Sequence, residues 1–159
     1  MKKTELEVLT KRLIEIRPLK DDNVDEYKQI IQEIYNDGID FFVFPNLLQG
    51  LIDESVDFNR SVVEDLIYLM ESFDVSGYIY VKTLLEHSNY LMPHAKEILT
   101  YQLYGITNRA DTRQAFIEIM NGQILDKSIH QNIKEILVAE SQMVKPKNKF
   151  IDEVARMIE

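Results

Sequence analysis

Apolar residues recur along this chain at three- and four-residue intervals, the period of an amphipathic helix, in nearly every stretch between its few breaks. Leu6, Leu9, Leu13 and Ile16 fall on one stripe, and that segment ends ahead of Pro18, which disfavours helix in the residue before it. Val24, Tyr27, Ile31 and Ile34 make a second stripe, with Asp21 and Asp22 as N-caps and Asn36-Asp37-Gly38 as its stop. Val62, Val63, Leu66, Ile67, Leu69, Met70 and Phe73 form a broad apolar face, which predicts a central helix. Ser76 is the expected cap of a helix over Tyr78–His87, and Pro93 opens one through His94, Ile98, Tyr101, Leu103 and Tyr104. Asp111 starts a helix carrying Phe116, Ile117, Ile119 and Met120, and Asp126 caps a long one carrying Ile129, Ile133, Ile136, Leu137 and Met143. Two stretches are less decided. Phe41–Phe44 and Gly77–Val81 would each suit a short strand; Pro45 near a helix start and the leucines at 84 and 85 favour helix.

With five glycines and four prolines in 159 residues, the chain lacks the tight turns an all-β fold would need. The expectation is a single all-α domain of antiparallel helix pairs, because short loops force neighbouring helices to run back on one another. Pairs starting near positions 22, 58 and 93 suit either an irregular bundle or a short HEAT-like stack. Along the chain this gives an N-terminal helix over 1–20, a helical domain over 21–144, and a basic linker with a short terminal helix over 145–159.

Charge is distributed unevenly over that scaffold. Residues 21–79 carry fourteen carboxylates against Lys28 and Arg60, a balance of −12. The segments 1–20, 80–144 and 145–159 stand at +3, −1 and +1, which accounts for the net charge of −9. An acidic excess confined to one stretch predicts a negative face that attracts a cationic partner and repels nucleic acid and anionic lipid. Asp53, Glu54, Asp57, Glu64, Glu71 and Asp74 are the residues expected to build it, since Glu64 and Glu71 lie seven apart on one helical face with Asp57 near its start. Tyr78 is the expected aromatic anchor, because tyrosine joins apolar area to a hydroxyl and is enriched at interfaces.

No constellation points to catalysis. The three histidines, His87, His94 and His130, stand outside any His-Glu-x-x-His arrangement, and zero cysteines remove thiolate chemistry and Cys-ligated zinc. The acids at 53, 54 and 57 lack the alternation, central glycine and closing glutamate of a calcium loop. Gly-rich phosphate loops and nucleophile elbows are missing, and basic residues do not interleave with aromatics as nucleic-acid binding requires. The expectation is a protein that is not an enzyme and holds no cofactor or metal. No run of about eighteen apolar residues suggests a membrane span and no secretory signal core follows Met1-Lys2-Lys3, so a cytoplasmic protein is expected.

One stretch resembles a known family. Val63-Glu64-Asp65-Leu66-Ile67-Tyr68-Leu69-Met70-Glu71-Ser72-Phe73-Asp74 is similar to the central helix of bacterial immunity protein 30, a family found beside polymorphic toxins. Tyr78 and then Leu91-Met92-Pro93-His94-Ala95-Lys96-Glu97 resemble that family's second block, and Tyr101-Gln102-Leu103-Tyr104 and Ile129–Leu137 its later helices. The likeness covers roughly residues 22–142 and departs from the family's spacing after Gly105, at Ile106-Thr107-Asn108-Arg109-Ala110. It implies a small cytoplasmic antitoxin that binds a cognate toxin domain and blocks it by occlusion. Such toxins are often nucleases with basic active sites, against which an acidic inhibitor face is complementary. The alternative is a helical-repeat adaptor that holds a peptide or housekeeping partner and has no toxin.

Overall fold

The structure, a computed structural model, describes residues 3–17, 22–37, 41–51, 60–72, 77–92, 95–143 and 150–158. Among them lie the helices α1 (Lys3–Ile16), α2 (Val24–Asp37), α3 (Phe44–Gln49), α4 (Arg60–Glu71), α5 (Tyr78–Glu86), α6 (Lys96–Asn108), α7 (Ala110–Asn121), α8 (Lys127–Ser141) and α9 (Ile151–Met157). Single 3-10 turns cover Phe41–Val43 and Ser88–Leu91, and no strand occurs among the described residues. The fold is all-α. Both undecided stretches are helical: Phe41–Val43 is a 3-10 turn leading into α3, and Tyr78–Val81 opens α5.

The chain divides into two compact units, one of Met1–Val75 with Tyr90–Lys96 and the other of Ser76–Asn89 with Glu97–Glu159. In the first, α1 packs on α2 and α3, and α2 and α3 both pack on α4. Leu13, Tyr27, Ile34, Phe44, Leu47, Leu48, Leu66 and Met70 are fully buried there. Each such side chain contributes roughly 1.5–3 kcal/mol on leaving water, so this set outweighs any surface ion pair nearby. The α1 seam differs from a plain leucine stripe. Thr10 is buried and Leu9 only half-buried. Thr10 can face inward because its hydroxyl donates to its own helix at Leu6 O (3.0 Å) and accepts from Asn46 Nδ2 of α3 (3.3 Å). Two further bonds fasten the end of α3: Tyr27 Oη donates to Gly50 O, and Arg17 Nη1 donates to Gln49 O at 3.0 Å.

In the second unit, α5 packs on α7 and α9 packs on both α8 and α7. Val81, Leu84, Phe116, Ile133 and Val154 are fully buried in its interior. The start of α5 corrects the sequence reading: its N-cap is Gly77, with φ +76°, rather than Ser76, which lies outside the described residues. A Cβ at Gly77 would come within 2.9 Å of Thr112 Cγ2 on α7, so glycine is needed there both for the left-handed backbone and for the close approach. The Asp126 cap of α8 is as expected, its carboxylate accepting from Ser128 N at 2.8 Å. Asp111 stands in the first turn of α7, whose N-cap is Arg109, and Met143 is exposed beyond the end of α8. α9 is fastened by Asn121 Nδ2 donating to Met157 O (2.9 Å), and Arg113 lies over the Phe150 ring at 3.9 Å while donating to Thr107 O at 3.0 Å. The basic stretch 145–149, Phe73, Pro93, Gly38 and Asp21 lie outside the described residues.

Candidate partner-binding face

Within the acidic stretch, two of the described helices, α2 and α4, pack on each other. α2 turns Tyr27, Ile30, Ile31 and Ile34 inward, and α4 turns Val62, Leu66, Ile67, Leu69 and Met70 inward. The remaining faces point to solvent, and they carry Asp25, Glu26, Glu33 and Asp37 on α2 and Glu64, Asp65 and Glu71 on α4. Asp25, Asp37 and Asp65 are exposed, and the four glutamates are half-buried at the helix flanks. Against these seven carboxylates the two helices offer only Lys28 and Arg60. Helix electrostatics does not explain this placement. Asp25 and Glu26 suit the first turn of α2, but Asp37 and Glu71 are the last residues of their helices, where negative charge is disfavoured, and neither last turn holds a basic residue.

Part of the acid is committed within the unit. Arg12 of α1 forks onto Glu26, with Nε 2.6 Å from Oε1 and Nη2 3.0 Å from Oε2, and its third nitrogen donates to Glu15 at 3.1 Å. The guanidinium is held further above its ordinary value by these carboxylates, and the Glu26 carboxyl is held below its own, first by the hydrogen bonds from Arg12. Glu33 accepts from Gln29 Nε2 at 2.8 Å. Between α1 and α2 a groove of about 580 Å³ is floored by Val8, Leu9 and Ile30 and rimmed by Lys11, Arg12, Glu15, Glu26 and Glu33. Its rim carries two basic residues against three carboxylates.

Of the residues singled out by charge and spacing, Glu64 and Glu71 stand together on α4, as their seven-residue spacing requires. Asp53, Glu54, Asp57 and Asp74 lie outside the described residues. Tyr78 is 40 % exposed at the start of α5 and belongs to the second unit, while α4 belongs to the first. The aromatic on the acidic helix itself is Tyr68, 61 % exposed, which charge counting passed over. The signal for it was present: Tyr68 has Glu64 and Asp65 one turn before it and Glu71 one turn after, the spacings at which helix side chains are surface neighbours. Asp65 and Glu71 sit three residues either side, and Glu64 four residues before.

The histidines offer no metal centre among the described residues, where no group of three or more His, Cys, Asp or Glu side chains converges. His87 Nδ1 donates to Thr83 O at 2.9 Å, which makes it a helix-end residue closing α5, and His94 is outside the described residues. Among the described residues, the buried polar ones are Thr10, Ser88, Gln102, Thr107 and Thr112. All but Gln102 donate to backbone carbonyls: Thr10 and Thr107 within their own helices, Ser88 to Leu85 O at the end of α5, and Thr112 of α7 to Ile106 O of α6. Among the described residues no helix is long and apolar enough to cross a membrane. Neither the protein-family models, nor the curated proteins, nor the solved structures yield a match to this chain.

Proposed function

We propose that this protein is an immunity protein that binds a cognate bacterial toxin domain and neutralises it by stoichiometric occlusion, with no reaction of its own. The observation that carries the reading is the packing of two acid-rich helices, α2 and α4, whose sequences hold seven carboxylates against two basic residues. Two of those carboxylates end helices whose dipoles disfavour them, so the charge is retained at some expense to the scaffold. A basic toxin surface, such as one shaped to hold a phosphate backbone, is its electrostatic complement. The likeness of Val63–Asp74 to the central helix of immunity protein 30 falls on this same helix and supplies the partner class. No cofactor, metal, nucleic acid or membrane has a part in such a mechanism, and the cytoplasm is where the toxin would have to be met.

Co-expression with the toxin domain encoded by the neighbouring gene tests this directly. Growth should be restored and the two chains should co-purify in a one-to-one complex. Reversing Glu64, Asp65 and Glu71 together to lysine should slow association by about tenfold at low salt, the scale on which steering charges act. Absence of a toxin gene beside this one, or toxicity undiminished by co-expression, would remove the reading in favour of an adaptor.

A further inference from the structure

The described exposed tyrosines are Tyr35, Tyr68, Tyr78, Tyr90 and Tyr101, and they differ in what surrounds them on their own helices. Tyr35 has Ile31 and Gln32 one turn before it. Tyr101 has Glu97 before it and Tyr104 and Gly105 after. Tyr78 has Val81 and Lys82 one turn after it. Only Tyr68 among these has carboxylates on both sides at three- and four-residue spacing, and it is also the most exposed of the set at 61 %. Leu66, Ile67, Leu69 and Met70 of α4 are buried, so the ring projects from the opposite side of the helix.

From this we infer that Tyr68 is the docking point for an arginine side chain on the surface of a protein partner. The phenol ring presents a negative π-face, and a guanidinium prefers such a face to bulk water more readily than an ammonium does, being planar and weakly hydrated. Glu64, Asp65 and Glu71 supply the counter-charge one turn away on each side, which makes the whole α4 surface attractive to a cation and leaves the ring to fix where it sits. Occupation by an apolar partner side chain is disfavoured, because it would bring no positive charge to offset the desolvation of an acidic helix side. The second copy of this chain is disfavoured for the same reason, since it would bring the same acids to the same place. This inference rests on reading the α4 surface as partner-binding, but it names a chemistry that can be examined without the toxin.

The chain contains no tryptophan, so Y68W keeps an aromatic face at this position and adds a single fluorophore. The full chain, Y68W, Y68F and Y68A are titrated at low salt with a short all-arginine peptide. The Y68W emission should change as the peptide saturates, Y68F should bind like the wild type, and Y68A should bind about threefold more weakly, the worth of one exposed cation–π contact. Equal affinity of Y68A and wild type, or a Y68W signal that stays constant at saturation, overturns the docking point. The toxin arm separates the two ideas. Peptide binding that depends on Tyr68 without growth rescue removes the toxin reading and keeps the docking point. Growth rescue with toxin affinity and peptide affinity unchanged in Y68A does the reverse.

Discussion

Gln102 on α6 offers the sharpest test of how the second unit is held together. Its residue is 1 % exposed, and neither its amide nitrogen nor its amide oxygen has a hydrogen-bond partner. A buried primary amide that loses its water without replacement costs about 1–3 kcal/mol. Q102M removes both polar atoms while keeping an unbranched side chain of similar length and a similar helix propensity. The apolar end group adds a favourable burial contribution of about 0.8 kcal/mol per methylene equivalent. Repacking losses for volume-conserving swaps stay below about 1.5 kcal/mol, so the balance favours the variant by about 1 kcal/mol. In a chain of this size that corresponds to a rise in melting temperature of about 2–4 °C. Urea unfolding followed by circular dichroism reads the change, with the m-value unchanged if only stability has moved. A variant destabilised by 1 kcal/mol or more would show that the amide is bonded in the folded protein, and the argument would fail.

Three further perturbations have defined signs. Y27F removes the hydroxyl that donates to Gly50 O from a fully buried site, and should lower unfolding free energy by about 1–2 kcal/mol in the same urea assay. G77A places a Cβ 2.9 Å from Thr112 Cγ2 at φ +76°, and should cost about 1–3 kcal/mol, measured as a fall in melting temperature. Tyr104 donates to Glu140 and its phenol is pushed up to about 12, first by burial and then by that carboxylate. The unfolded phenol ionises near its ordinary value of 10.0, so the contribution is whole below that pH and is lost as pH rises towards 12. Thermal melts of wild type and Y104F between those limits should show a steeper alkaline decline in the wild type; parallel declines would contradict the assignment.

How much of this was readable from residues alone depended on how local the cause was. The Asp126 cap and the Ile129, Ile133, Ile136, Leu137 face of α8 follow from a capping rule and a period, and both stand in the structure. Thr10 was hidden because its inward position depends on α3 delivering Asn46 to its hydroxyl. Gly77 was hidden because the demand for glycine comes from Thr112 on α7, thirty-five positions away. The charge asymmetry was visible as a number, and α2 and α4, which carry seven of its carboxylates, pack on each other. The Tyr78 expectation rests on residue type, whereas Tyr68 rests on helix spacing, which tells which side chains share a face with Glu64, Asp65 and Glu71.

Salt should act on this protein with opposite signs in its two states of association. Seven carboxylates on two packed helices repel one another, and the chain as a whole carries −9. Attractive pairs such as Arg12 with Glu15 and Glu26, Lys82 with Glu86, and Arg109 with Asp111 are exposed, and exposed pairs are individually weak. Screening therefore relieves more repulsion than it removes attraction, and the free chain should melt higher as sodium chloride rises from about 20 to about 300 mM, where the Debye length falls well below 10 Å. Chloride is preferable to sulfate here, because an excluded anion would stabilise any protein by strengthening apolar burial. Association with a basic partner should slow by about tenfold over the same range, since steering is what the salt screens. A melting temperature that falls with sodium chloride would mean that the attractive pairs dominate, and the acidic surface would then be a component of the scaffold rather than a charge held in reserve for a partner.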